Sequence, residues 1–154
     1  MAMDARQSIR LTDAEARSVL DDGVKLQLAT INPDGTPHLV TMYYALIDGQ
    51  IAFWTYRTSQ KARNIERDPR VTCLVEAGEA YFDLRGVQIN GIARPVLEPL
   101  AIADVGSRVV ARSMGLPVDD LTEHVTHAAR KRLAYLIEPI RYASWDHRKL
   151  TATR

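Results

Sequence analysis

Two turn signals set close together do most to limit what this chain can fold into. Asn32-Pro33-Asp34-Gly35 and Asp48-Gly49 each interrupt runs in which apolar and polar residues alternate. The first combines a proline with fixed φ, a side-chain acceptor and a glycine free to take positive φ. The second fits a two-residue hairpin turn. Ahead of them, Val24–Ile31 places Leu26 and Leu28 on one face and Lys25 and Gln27 on the other, the period of a half-buried strand. Thr36 to about Ile47 reads as a second strand and Gln50–Tyr56 as a third. The expectation is an antiparallel meander.

The flanking segments extend that pattern. Residues 1 to 10 are polar and expected to be loosely held, and Thr12-Asp-Ala-Glu15 is a capping box for a helix that Asp21-Asp22-Gly23 closes. Beyond the meander, Ser59 can cap a short helix with Ala62 and Ile65 as its apolar stripe, ended by Asp68-Pro69. Val71–Glu76 alternates again, Ala77-Gly78-Glu79 turns the chain, and Tyr81–Val96 reads as one long strand. Gly86 and Gly91 inside it suggest a bulge or a bend. Pro99 opens a helix to about Met114 with Ile102, Val105 and Val109 inward and Gly115 past its end. Asp120-Leu-Thr-Glu123 opens another, with Leu121, Val125 and Ala128 inward, and Leu133 to Trp145 forms a last strand before a polar tail. Six strands and grouped helices predict a mainly β fold: a small closed β-barrel with helices outside, one domain over residues 1–154.

Composition narrows the function classes. A net charge of +1 over 154 residues gives no general attraction to nucleic acid. The single cysteine, Cys73, excludes a disulfide framework or a cysteine zinc site within one chain and reads as a buried small hydrophobe. No apolar run is long enough to cross a bilayer, and MAMDARQSIR lacks the apolar centre of a signal peptide, so a soluble cytoplasmic protein is expected.

The chemistry is expected between Thr55 and Arg70. A helix N-terminus favours acidic side chains, yet Arg57 precedes this one and Lys61 lies in its first turn. A phosphate among the first amides would account for them, with the Thr58 and Ser59 hydroxyls as further partners. The alternative is a solvated helix whose cations pair with Glu66 and Asp68. Other candidates are weaker. His124 and His127 share a helix without a third metal ligand, so no metal site is expected, and two solvated side chains are the simpler reading. No serine sits in a nucleophile elbow, and no G-x-G-x-x-G follows a strand. Tyr43, Tyr44, Trp54 and Trp145 could flank a planar ring or simply fill the core. Residues 130 to 154 hold seven Lys or Arg against two acidic residues, a solvated face or a seat for a polyanionic tail at Arg130–Arg132 and Arg148–Lys149.

Three segments together carry a resemblance: Asp34-Gly-Thr-Pro-His-Leu-Val-Thr-Met, then Phe53-Trp-Thr-Tyr-Arg-Thr-Ser-Gln-Lys-Ala-Arg-Asn-Ile-Glu-Arg-Asp-Pro-Arg-Val, and Leu84-Arg-Gly-Val. The chain resembles the pyridoxamine-phosphate-oxidase-like split β-barrel flavoproteins, and most of all their actinobacterial F-420-dependent branch. The ending Ser144-Trp-Asp-His-Arg-Lys-Leu extends the likeness.

That resemblance implies a homodimer with the cofactor at the subunit interface. The cofactor phosphate would meet Ser59 and Lys61, with Thr55 at a preceding polar position and Arg57 at one that varies between branches. Val40, Thr41, Met42 and Tyr43 would lie against the ring, while Trp145 and Lys149 belong to the matching C-terminal segment. The implied activity is hydride transfer from coenzyme F-420 to a small unsaturated or conjugated acceptor. The alternatives are FMN on the same fold, a flavin or tetrapyrrole carrier or sensor, and a scaffold dimer with a vacant site. Tyr43 and Tyr44 are proton-donor candidates by position only, and no general acid is assigned. The C-terminal substrate motif of true pyridoxamine-phosphate oxidases has no counterpart, which argues against vitamin B6 oxidation.

Overall fold

The computed structural model describes residues 4–118 and 122–150. Seven antiparallel strands form one sheet: β1 (Lys25–Ile31), β2 (Pro37–Tyr43), β3 (Ala45–Ile47), β4 (Gln50–Tyr56), β5 (Arg70–Ala77), β6 (Arg85–Val96) and β7 (Arg132–Asp146). Their order is β2-β1-β5-β6-β7-β4-β3, so the two edge strands are consecutive pieces of chain. The sheet curls into a half-barrel whose edge strands β2 and β3 adjoin through Tyr44 without pairing. The expected mainly β fold is therefore found with one more strand than the sequence suggested and without a closing ladder.

Tyr44 causes the extra break. It is fully buried in the barrel core, while the next residue, Ala45, is buried in the cluster under α4 on the other face. Its hydroxyl donates to the Leu20 carbonyl at 2.6 Å, at the end of helix α2 (Asp13–Asp22). Arg112 of helix α4 (Pro99–Met114) lies over the same ring and donates to the Leu20 carbonyl at 2.6 Å and the Asp21 carbonyl at 2.7 Å. One guanidinium thus closes the C-terminal end of α2, where carbonyls lack intrahelical partners.

Inside the barrel, Leu26, Leu28, Phe53, Cys73, Val75, Val87 and Ile137 form the main core. Burial pushes the Cys73 thiol up to about 12. A second cluster lies outside, where Ala45, Ala52 and Ala134 leave room for Ile102, Val105 and Val109 of α4. Helix α5 (Thr122–Ala129) adds Ala129 to it. Gly106 lets α4 close on Trp54, since a Cβ there would run into the indole ring. Helix α3 (Gln60–Arg67) packs at the β1 end, with Ala62 and Ile65 buried as expected.

Several local expectations change. The strand expected from Tyr81 begins at Arg85, because residues Tyr81–Asp83 make a 3-10 turn. Gly91 does sit at a register shift in the β6–β7 ladder, whereas Gly86 serves close approach of the Trp145 ring. Residues expected to be loose include a short helix, α1 (Ala5–Ser8), and the Asp146 amide donates to the Ile9 carbonyl at 2.8 Å. The expected helix start at Asp120 and Leu121 falls outside the described residues. Among the described residues, no helix is long and apolar enough to cross a membrane.

Candidate functional site

Helix α3 begins as its sequence dictates. Ser59 has extended backbone, and its Oγ accepts the Ala62 amide at 3.2 Å. The buried Thr55, at the end of β4, shares a hydrogen bond with Ser59 at 3.1 Å. The amides of Gln60 and Lys61 have no acceptor among the described residues. Thr58 and Arg57 are exposed beside this turn, and the Arg57 amide donates to the Lys131 carbonyl at 3.0 Å.

Lys61 is the unusual member. Its side chain is half-buried, and burial lowers its pKa from the usual 10.5. No carboxylate of the described residues pairs with it. The solvated-helix alternative required pairing with Glu66 or Asp68, but Asp68 pairs with Arg70 at 2.6 Å. Arg70 also holds the Asp68 carboxyl down at about 2.

The helix is seated by a residue that charge counting overlooks. Asn64 is completely buried and donates to Thr30 and to Asn32, each at 3.0 Å, while accepting from Gln60 and Arg67. Those bonds tie α3 to the β1–β2 turn. Thr30 pairs in register with His38, so the start of β2 lies at the same end of the barrel. The His38 Nδ1 atom is buried there with no partner among the described residues. Further along β2, Val40 and Met42 are half-buried, Tyr43 is half-exposed, and Thr41 donates to Gln27 at 2.9 Å.

Trp145 and Lys149 lie elsewhere. Thr55 pairs with Leu133 at one end of β7, whereas Trp145 pairs with Gly86 near the other. Leu133 and Trp145 are separated by up to about 40 Å of strand. The C-terminal cations are also engaged: Arg148 pairs with Asp146 at 2.7 Å, and Lys149 donates to Glu15 at 2.6 Å. Arg132 lies over the Trp54 and Tyr56 rings at 4.6 and 4.2 Å. Three of the basic residues in this stretch, Arg132, Arg148 and Lys149, are therefore held by internal contacts. Tyr44 leaves the list of ring-binding and proton-donor candidates, because it is core and its hydroxyl is committed to Leu20. His124 and His127 are both exposed.

Comparison with known proteins now decides the family. The pyridoxamine 5'-phosphate oxidase family matches residues 12–146. The chain belongs to that family. A conserved hypothetical protein from Mycobacterium tuberculosis is 43% identical, with 97% of this chain and 93% of that one covered and a TM-score of 0.89. An F-420 reductase is 25% identical, covering 82% of this chain and 94% of that one, at a TM-score of 0.66. A FAD-binding protein from Mesorhizobium loti, 18% identical with 87% and 94% covered, shares the fold at a TM-score of 0.63. No curated protein matches the chain. Family membership and the F-420 reductase likeness fix the fold and the family, and one such fold serves many reactions.

Proposed function

We propose that the protein is an oxidoreductase that holds a phosphate-bearing deazaflavin, coenzyme F-420, at the start of α3. The observation that carries this reading is Lys61: a half-buried cation beside two free amides, with no carboxylate among the described residues to neutralise it. A phosphate fits that donor set, since it takes charge from Lys61 and hydrogen bonds from the Gln60 and Lys61 amides. Arg57, Thr58, Ser59 and Thr55 supply further polar groups, and Val40, Thr41, Met42 and Tyr43 of β2 supply a wall for the ring system. When bound, F-420 supplies the hydride, and the chain's part is orientation and shielding from water. Tyr43 is the phenol on this strand with access to solvent; Tyr44 has none to spare.

The reading includes a soluble cytoplasmic homodimer. Trp145 and Lys149 can meet the Ser59–Lys61 turn only by crossing from a second copy, because β7 separates them within one chain. The F-420 reductase at 25% identity supports F-420 as the cofactor. FMN is the second reading, favoured by the internal pairing of Arg148 and Lys149, which leaves fewer cations for an anionic tail. Titrating the purified protein with F-420 and FMN in competition separates the two. Tighter F-420 binding is expected, and an FMN preference removes F-420 from the proposal. Turnover of reduced F-420 with a panel of conjugated acceptors then distinguishes an enzyme from a carrier.

A further inference from the structure

Strand lengths leave an opening in this barrel. β4 has 7 residues and β7 has 15, and their ladder ends at the Ala52–Leu136 pair. From there to Asp146, β7 keeps β6 on one side and has no strand on the other. Helix α2 and the β3–β4 hairpin border the gap, which holds a cavity of about 980 Å³. Its floor is the barrel core itself: Leu20, Ile51, Val87, Ile89 and Ile137. Its rim carries Arg10, Asp13, Arg17, Asp21 and Asp48, none of which forms an ion pair among the described residues. None of the residues placed around the α3 phosphate site lines it.

We infer that this mouth is a second binding site, for a small molecule with an apolar body and an uncharged, hydrogen-bonding head. The apolar floor selects the body, since apolar surface gains by leaving water. Tyr142 and Ser144, on the unpaired stretch of β7, and Gln50 opposite them offer polar groups to the head. The rim mixes two cations with three carboxylates, so a head of fixed charge of either sign meets repulsion as well as attraction. Size selects the class further. The volume lies at the upper end of small-molecule sites, roughly 300–1,000 Å³. A three-turn helix about 10 Å wide and 16 Å long is larger than that. The inference does not depend on the cofactor reading.

The test uses Prodan, a naphthalene with a neutral ketone head whose emission moves to the blue in apolar surroundings. The wild-type protein is expected to bind one Prodan per chain with a blue shift. Ala16→Trp, which fills the mouth from α2, and Gln50→Trp, which fills it from the hairpin, should each weaken binding at least tenfold with the thermal midpoint preserved. If Ala16→Trp does not fold, Gln50→Trp decides alone. Lys61→Ala should bind the probe like wild type, so loss of the cofactor site and loss of this one are read separately. Emission unchanged by wild-type protein, or full binding by the filled variants, overturns the proposal. So does a change in solution mass on filling, which would assign the mouth to a second copy of the chain.

Discussion

The two ends of the barrel each carry a cluster of basic residues, and they have opposite fates. At the C-terminal end, Arg148 lies against the buried Asp146 and Lys149 against Glu15 and the Arg10 carbonyl, so the charges are used in holding the chain together. At the α3 end, Lys61 is half-buried with no counter-charge among the described residues. Counting Lys and Arg along the sequence cannot separate the two cases. The difference lies in whether a fold supplies the anion itself or leaves that to a ligand.

The largest effect expected from breaking this contrast is at Asn64, which holds the α3 end in place. Asn64→Ala strands the buried Thr30 hydroxyl and the half-buried Asn32 side chain and should cost about 3 kcal/mol, seen as a drop of about 9 °C in the thermal midpoint. Lys61→Ala comes next. It should weaken binding of the phosphate-bearing cofactor about 10- to 100-fold, the worth of one charge-assisted hydrogen bond, and leave the thermal midpoint within about 1 °C. Equal binding by mutant and wild type in calorimetry would place the phosphate elsewhere.

A pH series sharpens the same point. Burial depresses the Lys61 pKa, so the folded protein holds that proton less firmly than the unfolded chain does. Stability from this residue therefore grows as pH rises from the folded pKa toward the ordinary 10.5. A bound phosphate acts in the opposite sense by favouring the ammonium, so cofactor affinity should fall over that alkaline range. Lys61→Ala should abolish that fall. Asp146 provides the contrasting acid-side effect. Its hydrogen bond from Arg148 lowers its pKa below 3.8, so its stabilisation is complete above that value and is lost as pH drops through the folded pKa. Asp146→Asn should cost about 1 kcal/mol at neutral pH and flatten the acid limb of the thermal midpoint. The smallest expected effect is Lys149→Ala, which removes a partly exposed pair and should cost under about 1 kcal/mol.

Much of this was legible from residue order because it depended on local chemistry. The Thr12–Glu15 capping box, the Asp48-Gly49 turn, the α4 boundaries at Pro99 and Gly115 and the α3 cap at Ser59 all follow from neighbouring side chains. The break at Tyr44 did not, because it depends on α2 and on Arg112, both distant in sequence. The partners of Arg132 and Lys149 were hidden for a related reason: Trp54 and Glu15 reach them only through the folded sheet. Asn64 stood inside the S-x-K-x-x-N run that carried the family likeness, and His38 inside D-G-x-P-H. Their burial was not readable from either motif. The barrel mouth was also invisible, since it arises from a mismatch in the lengths of β4 and β7.

The seam at Tyr44 has a consequence for local unfolding. Since β2 and β3 border opposite edges of the sheet yet adjoin a single residue, fraying of either edge tugs on the other through that shared anchor. Amide exchange should therefore report matched protection for the two edges, released together when the tyrosine leaves its socket, instead of the graded loosening typical of an open sheet's margins.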